Sequence, residues 1–208
     1  MDTNIYLSEL DLDPRARRTA LLLRDVQAMH EMVAVCQAAD NTAGRSVLYA
    51  VDYRRSRVLV QTIGRPDWSR LGSGSEVRGV KDISGFLTSF RPGEELRFRL
   101  VASPLIHLGS GPDGRRGRKV PMLRDEDRDA WLARKLRAAG TLLGAVWISD
   151  RRLTGQGRDG HRITITQTVF TGLLRTHDPR ALYQSAAVGI GSAKAYGSGL
   201  LMLARRDG

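Results

Sequence analysis

The segment Asp25-Val26-Gln27-Ala28-Met29-His30-Glu31-Met32-Val33-Ala34-Val35-Cys36, running on to Ala39, sets Val26, Met29, Val33 and Cys36 at intervals of three and four. That period predicts an amphipathic helix with one buried face. Downstream, Val47 to Tyr53 and Arg57 to Ile63 are rich in β-formers and separated only by Arg54-Arg55-Ser56, which predicts a hairpin. Upstream, Ile5 to Leu12 reads as a strand, followed by a polar connection from Asp13 to Arg18. A Gly- and Ser-rich segment, Gly64 to Gly79, leads to Val80 and Phe86. Strand, helix, strand, strand within residues 1–90 predicts a small α+β unit.

Residues 91–208 repeat the theme. Leu96, Phe98 and Leu100 alternate with Arg97, Arg99 and Val101, a half-buried strand. From Asp125 to Ala139 a helix is predicted. Acidic Asp125, Glu126 and Asp127 open it and basic Arg134, Lys135 and Arg137 close it, opposing the poles of the helix dipole, with Gly140 as the expected stop. Leu143 to Ser149 and Arg162 to Leu174 read as strands around a polar loop, Thr154 to Gly160. Asp178 opens a helix with Pro179 at its first position, reaching Val188, and Leu200 to Leu203 reads as a final strand. The expected fold class is α+β, two tandem ferredoxin-like (RNA-recognition-like) domains, 1–90 and 91–208. No aromatic pair marks the central strands, so any RNA is not expected to stack its bases on the sheet.

Composition narrows the function. Hydrophobic residues make up 41% and charged residues 26%, which supports a packed core. No apolar run approaches the roughly 18–20 residues of a membrane helix. The first residues, with Asp2, Glu9 and Asp11, carry no leader pattern, so no export is expected. The single cysteine, Cys36, excludes an intrachain disulfide and a cysteine-built zinc site, which fits a reducing cytoplasm. The net charge is +11, and it is uneven: residues 1–90 hold 12 basic and 11 acidic side chains, residues 91–208 hold 21 and 11. Arginine outnumbers lysine 29 to 4. Guanidinium groups grip phosphate bidentately, so the second half points to a polyanion partner.

The four histidines, His30, His107, His161 and His177, form no metal-ligand spacing, and Asp11 and Asp13 are the nearest thing to paired carboxylates. No metal or other cofactor is expected. His30 lies beside Met29 at the edge of the helix's buried face, with Gln27 and Ala34 on its flank, where an imidazole can be anchored and still face a cleft. A glycine-rich run, Gly189-Ile190-Gly191-Ser192-Ala193-Lys194-Ala195-Tyr196-Gly197-Ser198-Gly199, fits neither a P-loop nor a dinucleotide fingerprint. It can still bring backbone N–H groups and one lysine to a phosphodiester, and Tyr196 within it can stack or pack.

Four stretches together resemble the CasE family, the CRISPR repeat-cleaving endoribonucleases of the Cascade (type I-E) antiviral system. They are Ile5-Tyr6-Leu7-Ser8, Met29-His30, Arg118-Lys119-Val120-Pro121 with Trp131-Leu132 and Arg134-Lys135-Leu136 after it, and the glycine-rich end. The resemblance implies metal-independent cleavage of precursor CRISPR RNA at the base of the repeat stem-loop. It further implies attack by the ribose 2′-OH, a 2′,3′-cyclic phosphate and 5′-OH as products, and retention of the guide RNA among other Cascade subunits. His30 matches the family's catalytic histidine. Where the family commonly has a tyrosine three positions earlier, this chain has Gln27, which can position but cannot titrate; Lys194, Tyr6 and Ser8 are the candidates to take over the tyrosine's part. By position, Arg151, Arg152, Arg158 and Arg162 correspond to a loop that family members insert into the RNA stem. Arg115, Arg116, Arg118 and Lys119 form a second expected RNA-binding patch, and Gly189, Gly191, Lys194 and Gly197 a third. The rival reading is a non-catalytic RNA-binding subunit of the same fold with a structural His30.

Overall fold

The computed structural model describes residues 4–36, 47–109, 117 and 119–206. Strand β1 (Ile5–Leu12) leads to helices α1 (Arg17–Arg24) and α2 (Val26–Ala34), then to β2 (Leu48–Asp52), β3 (Arg57–Ile63) and β4 (Ser75–Asp82). These strands form an antiparallel sheet in the order β2-β3-β1-β4. Leu10 pairs with Val58, and with Leu12 and Val60 they make the floor on which Met29, Met32, Val33 and Cys36 pack. The periodicity of α2 is thus the periodicity of its burial. Helix α1 was not expected; the connection predicted to run through Arg18 turns helical at Arg17, because Leu22 can reach the same core. Asp25 separates the two helices. Its extended backbone (φ −121°, ψ 112°) breaks α1, and its carboxylate accepts from the N–H groups of Gln27 (2.8 Å) and Ala28 (3.2 Å), capping α2. Of the helix expected to run to Ala39, the residues from 37 onward lie outside the described residues.

The second sheet has the order β10-β5-β9-β8, the same permutation of first, second, third and fourth strands. After α3 (Ser84–Thr88) come β5 (Glu95–Ala102), a small hairpin of β6 (Leu105–His107) and β7 (Lys119–Pro121), and α4 (Asp125–Leu136). The long strands β8 (Gly140–Gln156) and β9 (Arg162–Thr176) follow, then α5 (Pro179–Val188), a 3₁₀ turn (Lys194–Tyr196) and β10 (Leu201–Arg205). Leu96, Phe98, Leu100, Phe170 and Leu174 from the sheet close on Trp131, Leu132 and Leu136 of α4 and on Leu182 and Ala186 of α5. Each large side chain buried there contributes about 1.5–3 kcal/mol. Asp178 caps α5 through the N–H groups of Arg180 and Ala181, and Pro179 takes the first position, as expected. In both halves the sheet order is that of a ferredoxin-like unit. The first half replaces its second crossover helix with an irregular path over residues 64–74, where the Trp68 indole N–H donates to Ser8 Oγ (3.0 Å).

The two sheets meet along an apolar seam in which Leu48 and Ala50 pack with Val101 and Leu200. Gln61, buried on β3, donates its side-chain amide to the carbonyl of Ala186 (2.8 Å), satisfying one of the orphan acceptors at the end of α5.

Two expectations are corrected. Gly140 does not stop α4 but begins β8, where a Cβ would stand 2.2 Å from the Arg175 carbonyl oxygen; close strand approach demands the glycine. The polar loop is shorter than expected. β8 continues through Gln156, paired to Arg162, so Arg151, Arg152 and Thr154 are strand residues and only residues 157–161 turn. Gly140→Ala should lower stability by about 1–3 kcal/mol in a urea titration, the range for forced overpacking. Gly144→Ala, with open space around its Cβ, serves as the near-neutral control.

Candidate active site

The outer half of the β8–β9 hairpin leaves its own sheet and lies on the catalytic helix candidate. Leu153, Ile163 and Ile165 pack on Val26 of α2, with Tyr53, Ala193 and Tyr196 around them. The approach is close enough that a Cβ on Gly155 would sit 2.7 Å from the Asp25 carboxylate and 2.8 Å from a Val26 methyl. The hairpin therefore docks on the capped N-terminus of α2, one turn from His30. This docking carries the turn of the hairpin, with Arg158, to the flank of α2.

There the Arg158 Nε donates to the Glu31 carboxylate (3.3 Å), which also accepts from the Gln27 side-chain amide (3.0 Å). Those bonds, from Gln27 first and Arg158 second, hold the Glu31 carboxyl below the usual carboxylate range. Beside the pair opens a cleft of about 390 Å³ lined by His30, Glu31, Ala34, Val35, Arg70 and Arg158. Arg70 comes from the irregular β3–β4 path, so three separate segments wall the cleft. A histidine facing an open cleft with two guanidinium groups on its walls suits a proton-transfer step on an anionic substrate.

On the other side of His30 lies the glycine-rich turn. Tyr196 meets the imidazole edge-on, ring centroids 5.9 Å apart at 67°, and its hydroxyl donates to the Gln27 side-chain oxygen (3.5 Å). The turn is pinned from below. Tyr49 Oη donates to the Ala195 carbonyl (3.1 Å), and Gln167 Nε2 donates to the carbonyls of Tyr196 and Gly197 (both 2.9 Å). Ala193 (φ 56°) and Gly197 (φ 76°) both adopt left-handed backbone to make it.

Of the residues anticipated from sequence, His30, Gln27 and Arg158 converge. Lys194 sits in the same turn as Tyr196, but its ammonium donates to the Val188 carbonyl (2.9 Å), and burial together with Lys135 pulls its pKa down. Gly189 and Gly191 are half-buried, whereas Gly197 is buried against the Tyr49 ring. Arg151 stacks on Tyr53 (4.0 Å to the ring centroid). Arg152 and Arg162 are exposed on the two hairpin strands, and Lys119 is exposed on β7. Arg115, Arg116 and Arg118 lie outside the described residues. Ser8, one candidate for the part of the missing tyrosine, is buried on β1 under Trp68. Sequence reasoning missed Glu31 and Arg70, which no spacing marks, and did not connect Tyr196 with His30. Among the described residues no three His, Cys, Asp or Glu side chains gather into a potential metal site, and no helix is long and apolar enough to cross a membrane.

Paired ferredoxin-like sheets with a histidine helix set between a basic hairpin and a glycine-rich turn define a class of protein. The chain matches the CRISPR associated protein family over residues 5–205 and belongs to it. Within that family it is a CasE member. It is 28% identical to the CRISPR-associated endoribonuclease Cse3 of Thermus thermophilus, over 96% of this chain and 100% of the relative. It is 29% identical to the Cascade subunit CasE of Escherichia coli K12, over 87% and 92%. The solved structure of Thermus thermophilus Cse3 bound to an RNA representing a pre-cleavage complex superposes with a TM-score of 0.83 at 28% identity, covering 97% of this chain and 99% of that one.

The docking of the hairpin makes a prediction. Gly155→Val should push the hairpin off the Asp25 cap, costing about 0.5–2 kcal/mol, the usual worth of an N-cap. Hydrogen exchange should speed up at the Gln27 and Ala28 amides; unchanged protection there would contradict the docking.

Proposed function

We propose that this protein is the endoribonuclease that cleaves precursor CRISPR RNA within each repeat, at the base of the stem-loop, and keeps the guide RNA within a Cascade complex in the cytoplasm. The reading treats residues 1–90 as the unit carrying the catalytic helix and 91–208 as the basic unit carrying the RNA-binding hairpin. The observation that carries it is the placement of His30 between a cleft that Arg158 and Arg70 also line and the Lys194–Tyr196 turn on its other side, in a chain similar along nearly its whole length to an endoribonuclease solved with RNA.

In the proposed reaction the ribose 2′-oxygen attacks the adjacent phosphorus and the bond from phosphorus to the 5′-oxygen breaks. The 2′-hydroxyl proton leaves to a base and the departing 5′-oxygen takes up a proton, giving a 2′,3′-cyclic phosphate and a 5′-OH. His30 presents its imidazole at the cleft wall, placed to act as base or as acid. No metal takes part in this reading. Holding the 2′-oxygen in line with the leaving oxygen supplies much of the remaining acceleration. Phosphates entering the cleft meet Arg158 and Arg70, and Arg158 must exchange the Glu31 carboxylate for phosphate. Arg152 and Arg162 extend the same basic surface along the hairpin, where A-form RNA is recognised by shape and backbone. Arg115, Arg116, Arg118 and Lys119, with Gly189, Gly191 and Gly197, complete the proposed RNA contacts.

The test is cleavage of the repeat hairpin in EDTA, with product ends mapped. Wild type should yield the cyclic phosphate, and His30→Ala should lose at least a hundredfold in rate, within the range of general acid–base catalysis, while binding is kept. Binding without cleavage by wild type would favour the non-catalytic subunit. Arg158→Ala should weaken hairpin binding about tenfold in a filter assay. Arg205→Ala, whose guanidinium is already occupied by Glu94 and Ser89, should change it less than twofold.

A further inference from the structure

We propose that Tyr196 is the positioning residue for His30, holding the imidazole and the Gln27 amide in the geometry that the cleavage step uses. The inference rests on the proposed nuclease reading but is carried by its own geometry. The phenol packs edge-on against the imidazole, and its hydroxyl donates to the Gln27 side-chain oxygen. Gln27 in turn donates to Glu31, so a polar chain runs Tyr196–Gln27–Glu31–Arg158 along the face of α2 beside His30. Both ends of the Gln27 amide are engaged, which makes it a strut between the turn and the hairpin.

The turn that carries Tyr196 is over-determined for such a role. A non-glycine residue, Ala193, is held at φ 56°, a conformation that L-residues adopt at a cost and that persists only where surroundings enforce it. Here the enforcement is visible: Tyr49 and Gln167 bind three successive carbonyls, those of Ala195, Tyr196 and Gly197. Lys194 adds a fourth tie to the Val188 carbonyl. Four anchors on one short turn fix its backbone, and the Tyr196 ring then packs into the cluster of Val26, Leu153, Ile163 and Ile165 beside His30. A histidine confined by a rigid neighbour loses little ordering entropy when the substrate arrives, which is the physical content of preorganisation. The residues proposed from sequence to stand in for the absent tyrosine are engaged elsewhere in two cases, Ser8 under Trp68 and Lys194 on Val188. Tyr196 is the phenol that the described structure brings to the turn of α2 holding Gln27 and His30.

Tyr196→Ala and Tyr196→Phe separate the ring from the hydroxyl. The hydroxyl bond, at 3.5 Å, is long, whereas the ring contact lies within the ordinary edge-to-face range, so the ring carries the larger share. With protein in saturating excess over repeat RNA, the single-turnover rate should fall at least tenfold in Tyr196→Ala and no more than about threefold in Tyr196→Phe, with RNA affinity unchanged in both. In the RNA-free protein, the His30 imidazole proton resonances should move in Tyr196→Ala, from loss of the ring current, and stay in Tyr196→Phe. Wild-type rate in Tyr196→Ala, or a rate loss matched by a loss of affinity, overturns the assignment. If wild type itself fails to cleave, the nuclease reading falls, and unmoved His30 resonances in Tyr196→Ala overturn the positioning role on their own.

Discussion

The contact between Gly155 and the Asp25 cap is the constraint on which the site depends. Asp25 does two things at once: it ends α1 and supplies the acceptor that starts α2. A second strand pair then rests on that cap, possible only because residue 155 has no side chain. Were the hairpin displaced by one side-chain diameter, Arg158 would leave Glu31 and the cleft beside His30 would lose a wall. Val26, Leu153, Ile163 and Ile165 supply the apolar burial that holds the contact closed.

The site is consequently built from both halves of the chain. α2 belongs to the first sheet, while the hairpin and the glycine-rich turn belong to the second, and the seam of Leu48, Ala50, Val101 and Leu200 fixes one sheet against the other. The elements holding His30 are therefore long-range contacts, whereas the helix presenting it is local. The basic surplus of the second half has a similar logic. Many arginines there are already partnered, Arg128 most of all: it is buried, bonded to Met122, Asp125 and Asp150, and stacked on Trp147. Net charge overstates the surface open to a polyanion; Arg70 and Arg158 are exposed cations that line the cleft, and Arg152 and Arg162 are exposed further along the hairpin.

What the sequence made legible follows the same division. α2 could be read from its periodicity and α5 from Asp178 and Pro179 at its start, β1 and β3 from their β-forming residues, and β5 from alternation. β4 could not, because it is an edge strand whose residues from Arg78 to Asp82 are exposed and show no apolar alternation. The continuation of β8 through Arg151 and Arg152 was hidden for a related reason: its strand conformation is imposed by pairing with β9, and its polar residues resemble a loop. For the site, His30 was legible from its place on the helix face and from the family resemblance. The meeting of Tyr196 with His30, and of Arg158 with Glu31, depends on how two sheets dock, and no local spacing encodes it.

In the proposed reaction the substrate's own 2′-hydroxyl is the nucleophile, delivered beside His30 without help from a metal. The most direct measurement is cleavage of a repeat hairpin carrying a single 2′-deoxy substitution at the nucleotide whose 3′-phosphate is cut, compared with the all-ribose hairpin under saturating protein. With the 2′-hydroxyl as nucleophile, the deoxy substrate should bind equally well and show no detectable scission. Cleavage of the deoxy hairpin at a comparable rate would require an external nucleophile and would contradict the proposed reaction.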